Sequence, residues 1–251
     1  MRSKVEVVLE WIDLLIDYLP TWAWILIGVI ILLAIIAYFD SKRPIIKNKK
    51  SIKLTKPILP NFKNNQEVLR YAKKATVLIN VDGEECGAGV FISGYGFIVT
   101  NYRIIEFKGK IQIRVINGEM YDAKVVHMDD GHNLALLKIK GKNFVALPSA
   151  RRSSYETGDK VFAIGSPWCN KIQDNPVTTG IVNTKRDSDG CSILETDALI
   201  NLDNNGGPLV NAKGEIVGIN VFDTIVEKEI SFNASYSIDI NHAFERLKIR
   251  C

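Results

Sequence analysis

Hydrophobic and polar positions change their period three times along this chain. In residues 4–19 the acids Glu6, Glu10, Asp13 and Asp17 recur at steps of 4, 3 and 4, so they share one helical face. Val7, Val8, Trp11, Ile12, Leu14, Leu15 and Leu19 fill much of the remainder, which predicts an amphipathic N-terminal helix over 1–20. Pro20 separates it from residues 21–39, which carry no charge. At about 1.5 Å per residue that stretch is long enough to cross about 30 Å of hydrocarbon. Trp22 and Trp24 at one end, with Tyr38 and Phe39 at the other, suit the two interfaces. Acids precede the stretch and no small-x-small cleavage site follows it, so it is read as a retained transmembrane helix, not a signal peptide. Over 40–64 lysines alternate with Ile, Asn and the prolines Pro44, Pro57 and Pro60. That composition predicts an extended basic linker that buries no core. It is a tether, or a polybasic strip against anionic lipid.

From residue 65 the pattern becomes that of a globular domain, 65–251. A short helix is predicted over 65–74. Apolar, β-branched runs broken by Gly, Asn and Asp then follow at 76–81, 89–92, 97–100, 111–116, 121–127 and 133–139. The second half repeats the pattern at 160–164, 177–183, 192–196, 207–211, 215–221 and 231–238. Short strands with tight turns at this spacing predict an all-β barrel or sandwich, and 241–250 closes the chain as a helix.

Composition narrows the picture further. A formal net charge of +4, concentrated in the early basic segment, does not suggest a nucleic-acid footprint. Basic residues from Lys42 to Lys56 follow the apolar stretch and outnumber Arg2 and Lys4 before it, which puts the domain on the cytoplasmic side. Cys86, Cys169, Cys191 and Cys251 lack C-x-x-C spacing, so neither a disulfide framework nor a cysteine-based zinc site is expected. His127, His132 and His242 are too scattered to give a ligand spacing, and no cofactor is expected.

Six motifs then occur in order. They are Gly87-Ala-Gly-Val-Phe-Ile92 with Tyr95-Gly-Phe-Ile-Val-Thr-Asn101; Leu134-Ala-Leu-Leu-Lys-Ile139; and Gly158-Asp-Lys-Val-Phe-Ala-Ile-Gly-Ser-Pro167. Val177-Thr-Thr-Gly-Ile-Val182, Thr196-Asp-Ala-Leu-Ile-Asn-Leu-Asp-Asn-Asn-Gly-Gly-Pro-Leu209 and Gly214-Glu-Ile-Val-Gly-Ile-Asn220 complete the set. Together they resemble the HtrA/DegP branch of the trypsin-like serine proteases over roughly residues 75–245. The resemblance implies two six-stranded antiparallel β-barrels with a C-terminal helix. It also implies that the peptide-binding PDZ module common in that family is missing. By family analogy the domain faces the periplasm, against the charge bias.

The resemblance assigns roles to positions whose residues do not suit them. Arg103 stands where the family has its histidine base, Asn133 where it has its aspartate and Asn205 where it has its nucleophilic serine. A guanidinium accepts no proton, and a carboxamide is not activated as a hydroxyl is. Asp203 replaces the glycine whose N–H, with that of residue 205, would form the oxyanion hole. No catalytic residue is therefore expected, and the chain reads as a pseudoprotease acting by binding or scaffolding. Arg103, Asp203, Asn204, Asn205 and Gly206 are the candidate lining of a cleft for protein or extended peptide. Arg103 is expected to pair with Asp203, or to donate to Asn133 and Asn205, because a buried guanidinium needs a partner. The alternatives are an active enzyme with displaced chemistry, with His132 as base, and a ligand or metal sensor on the same fold. Cys191 is expected to be a buried, inert thiol.

Overall fold

The computed structural model describes residues 20–42, 51–106, 109–166, 175–188, 190–222 and 235–250. The chain divides into two units, residues 1–48 and 49–251. The expected amphipathic helix lies outside the described residues. In the first unit α1 spans Thr21–Lys42, opened by the Ala23 N–H bonding to the Pro20 carbonyl. Its apolar side chains at Ile25, Leu26, Val29, Ile30, Ile31, Leu32 and Leu33 are exposed. Within α1 the side chains of Thr21, Trp24 and residues 35–42 are not described. Among the described residues no helix is long and apolar enough to cross a membrane.

The second unit is built on two closed barrels. β2 (Thr76–Val81), β3 (Glu84–Ser93), β4 (Phe97–Thr100), β5 (Ile111–Arg114), β6 (Met120–Asp129) and β7 (Leu134–Ile139) close the first, in the order β2-β3-β4-β7-β6-β5. The second is made of β8 (Lys160–Ile164), β9 (Val177–Ser188), β10 (Cys191–Thr196), β11 (Pro208–Asn211), β12 (Ile216–Val221) and β13 (Ser235–Asp239). It closes in the order β10-β13-β12-β11-β8-β9, and the pairings within both barrels are antiparallel. In each barrel, closure pairs the two outermost strands of the sheet with one another.

Strand alternation assigns each side chain to one of three cores. Phe91, Ala135, Leu137 and Ile139 fill the first barrel, and Val161, Ala163, Leu209 and Val217 fill the second. Their strand neighbours Val90, Ile92, Leu134, Leu136, Phe162, Ile164, Val210 and Ile216 belong to a third cluster shared by both barrels. Both faces of these strands are buried, so 134–137 reads as an unbroken apolar run and not as alternation. At about 1.5–3 kcal/mol per fully buried large side chain, the shared cluster holds the barrels together.

Helices and short strands seal the ends. α2 (Asn65–Ala75) begins where Asn64 Oδ1 accepts the Glu67 N–H at 3.0 Å, and it buries Val68, Ala72 and Ala75. α3 is one turn, Tyr102–Ile105. The C-terminal helix is shorter than expected. α4 covers Ile240–Arg246, capped by the Asp239 carboxylate, and the chain then straightens into β14 (Ile249–Arg250). β14 pairs in parallel with β1 (Ile52–Lys53). This overturns the expectation that 40–64 buries no core. Leu54 is buried, Leu59 and Phe62 pack on the shared cluster, and the rings of Phe62 and Tyr71 meet edge to face at 5.5 Å. A two-residue parallel pairing between opposite ends of a domain leaves no local signal in sequence.

Candidate functional site

The residues singled out at the loop converge between the two barrels. β4 delivers Asn101 and then the single turn α3 carrying Arg103. The Asn133 carboxamide oxygen accepts the Arg103 backbone N–H at 2.9 Å, and Asn133 itself has a left-handed backbone (φ 51°). Asn tolerates that region better than most residues, because its short polar side chain bonds locally. Arg103 is exposed, so the premise that burial forces its guanidinium to pair does not hold.

Residues 201–207 form a tight turn that consumes its own donors. Asn201 Oδ1 accepts from the Asp203 and Asn204 N–H groups at 3.0 and 3.3 Å, and Asn204 Oδ1 accepts from the Asn201 N–H at 3.2 Å. This reciprocal cap opens a 3-10 turn, Leu202–Asn204. The Asn205 N–H closes it on the Leu202 carbonyl at 3.2 Å. The two N–H groups that the resemblance assigns to an oxyanion hole thus already have partners inside the turn. Burial also raises the pKa of the Asp203 carboxyl, which disfavours its charged form.

Asn205 is 9% exposed, and its side chain is fixed from two sides. Its Oδ1 accepts from Asn101 Nδ2 at 2.7 Å and from the Phe222 N–H at 3.0 Å. The Phe222 N–H can only donate, so the Asn205 atom facing it must be the oxygen. The Asn101 atom facing that oxygen must then be its nitrogen, which also donates to the Asn220 carbonyl at 2.8 Å. One consequence is that Asn101 Oδ1 is buried without a hydrogen-bond partner. The network ties β4 of the first barrel to the loop and to β12 of the second.

Gly206 makes this approach possible. Its φ is 78°, and a Cβ there would lie 2.4 Å from the Ala88 carbonyl oxygen and 2.5 Å from Thr100 Oγ1. That oxygen and hydroxyl are themselves bonded at 2.7 Å. Gly207 is as tight, since a Cβ would lie 2.2 Å from the Ile164 carbonyl oxygen.

Residues 87–219, more than half of the 251-residue chain, match the trypsin-like peptidase domain. This chain belongs to that family. Serine protease HTRA1A of Danio rerio is 41% identical over 144 residues, which is 53% of this chain and 29% of the relative. Serine endoprotease DegS of Haemophilus influenzae is 32% identical over 213 residues, covering 81% of this chain and 60% of the relative. A probable periplasmic serine endoprotease DegP-like of Chlamydia muridarum is 34% identical over 139 residues, or 53% of this chain and 27% of the relative. The chain therefore spans less than two thirds of each of these HtrA-type relatives.

Within this trypsin-like domain the remaining candidates sit elsewhere. His132 Nδ1 lies 3.0 Å from Asp129 Oδ1, and its ring faces His242 on α4. Cys191 opens β10 and is half-buried, not enclosed, and burial pushes its thiol up to about 11. Among the described residues no group of three or more His, Cys, Asp or Glu is arranged to hold a metal. Asn101, Asn201 and Phe222 organise the loop, yet none was a sequence candidate. Asn101 and Asn201 lay within the motifs, but only their neighbours in space reveal what their amides hold.

Proposed function

We propose that this protein is a membrane-anchored, HtrA-like serine protease homologue without peptidase activity, which binds extended protein or peptide segments. One observation carries the first half. The side chain at position 205 is a carboxamide whose oxygen is already held by Asn101 and the Phe222 N–H. Neither position that the resemblance assigns to the base or its support can accept a proton, since position 103 is a cation and position 133 an amide bonded to backbone. The N–H groups of residues 203 and 205 are committed within the turn, so a tetrahedral oxyanion would find no preorganised donors.

Binding needs less than catalysis does. Trypsin-like domains engage peptides as added strands, through main-chain groups rather than a triad. Exposed Leu199 and Leu202 border the loop and supply apolar contact. The relatives are named as serine proteases and endoproteases, which makes polypeptide the expected ligand class.

Residues 21–39 are taken as the anchor on their sequence, a stretch longer than the part of α1 whose side chains are described. They hold no charge, and the described apolar side chains of α1 are exposed, as a lipid-facing surface requires. The basic residues that follow favour the cytoplasmic face. A DegP-like relative is named as periplasmic, which points to the other face. Protease protection in sealed vesicles decides between the two.

The decisive experiment compares casein hydrolysis by the wild type and by the triple variant Arg103→His/Asn133→Asp/Asn205→Ser. Neither is expected to turn over substrate, the variant because its donors stay closed in the turn. Both should bind an unfolded, fluorescently labelled casein by anisotropy. Turnover by the wild type that disappears in His132→Ala would overturn the proposal.

A further inference from the structure

Two of the histidines scattered in the sequence meet at a junction outside the loop. Asp129 ends β6 and His132 lies in the turn that follows, both in the first barrel. His242 and Arg246 lie one helical turn apart on α4. Asp129 Oδ1 accepts the His132 N–H at 3.2 Å and lies 3.0 Å from its Nδ1, while Oδ2 accepts Arg246 Nε at 2.6 Å. The His132 and His242 rings are 5.1 Å apart, tilted by 51°. His242 is 9% exposed, and its Nε2 is buried without a hydrogen-bond partner. One carboxylate, already committed to two partners, is the bridge between barrel and helix. With two imidazoles and, among the described residues, no third free ligand, the junction is suited to a proton rather than a metal ion.

We propose that this junction is a proton-operated latch, in which charging of His242 loosens the C-terminal helix α4 from the β6–β7 turn and weakens the adjoining β1–β14 pair. His242 faces His132 from the turn, Glu245 and Arg246 on its own helix, and Asp239 at the end of β13, while Asp129 at the end of β6 holds His132 and Arg246. Cys191, at the start of β10, borders the same charges. The charged ring carries a proton on both nitrogens, so its Nε2–H would have no acceptor, and the charge would lie beside the Arg246 guanidinium. Burial, then His132, then Arg246 hold the His242 pKa below the usual histidine value of 6.5, against smaller opposing effects of Glu245 and Asp239. The docked state thus binds fewer protons than the undocked one. Docking is fully favoured above about pH 6.5 and weakens as pH falls toward the docked value. Asp129 acts in a lower window. Its depressed pKa keeps the bridge charged until pH falls below the ordinary carboxylate range. Ile240, Ala243, Phe244, Leu247 and Ile249 are buried in the shared cluster, and that burial opposes opening, so the proton raises the population of a minor open state and does not unfold the domain.

The test is hydrogen exchange, read by mass spectrometry, on the full chain in detergent micelles at pH 7.5 and 5.5, corrected for intrinsic rates. Opening of residues 240–250 is compared with that of β10 as internal reference. The wild-type ratio should rise by up to about tenfold per pH unit below 6.5, and His242→Gln should flatten that dependence. A flat wild-type ratio, or one that persists in His242→Gln, would overturn the latch. Should His242→Gln fail to fold, the His242 imidazole is titrated by NMR in the wild type. A midpoint below 6.5 supports the latch, and one at or above it sinks the idea.

Discussion

Replacing Asn205 by alanine tests whether the loop is held by the amide network or merely by its own turn. The substitution removes the oxygen that accepts from Asn101 Nδ2 and from the Phe222 N–H. Asn101 Nδ2 keeps the Asn220 carbonyl, so its loss is partial. The Phe222 N–H loses the acceptor shown for it, but Phe222 lies at an exposed position where water can substitute. Two ordinary hydrogen bonds at about 0.5–1.5 kcal/mol each set the scale, so Asn205→Ala should cost about 1–3 kcal/mol. For a domain of about 200 residues that is a fall of about 2–12 °C in Tm. Asn101→Ala should cost a comparable amount, offset in part because it also removes the orphaned Asn101 oxygen. The double variant is the sharper measurement, since the residues touch and their effects should not add. Urea unfolding followed by circular dichroism should give a coupling of about 1 kcal/mol, against about 0.3 kcal/mol or less for independent sites. Strict additivity would mean that the contact between the barrels at this point carries no energy.

Gly206→Ala puts a Cβ 2.4 Å from the Ala88 oxygen at a φ of 78°, and should destabilise by about 3 kcal/mol or more, seen as a lowered urea midpoint; wild-type stability would show that the loop relaxes freely. Asn64→Ala removes the cap of α2 and should cost about 1 kcal/mol, whereas Asn64→Gly should cost only a few tenths. Tyr155 is buried with its hydroxyl donating to Asp239 and accepting from Asn241 Nδ2, so Tyr155→Phe should lose about 1–3 kcal/mol, measured in the same unfolding assay. With its thiol pushed up to about 11, Cys191 should alkylate at pH 8 about a hundredfold more slowly than a thiol of ordinary pKa. Peptide-resolved mass spectrometry reads that rate, which should rise steeply between pH 9 and 11, and an ordinary rate at pH 8 would refute the assigned burial.

What the sequence determined by itself was local and periodic. The apolar runs marked the barrel strands closely where both faces are buried, as at Leu134–Ile139 and Lys160–Ile164. The ordered glycine motifs carried the family, because the turn at Gly206 and Gly207 leaves no room for a side chain and such positions leave a visible trace. The identities at 103, 133 and 205 were equally plain, since each residue type fixes whether it can accept a proton. Tertiary structure decided which atoms those residues meet. It gave Asn133 a backbone partner, put Arg103 at an exposed position, and assigned the Asn205 oxygen to Asn101 and Phe222, a choice that depends on bonds across 104 and 17 positions of chain. It also turned residues 51–64 from a tether into part of the domain, and brought His132 to His242. Those contacts pair groups far apart in sequence, and periodicity reports only which face a residue turns inward, never what waits on the other side.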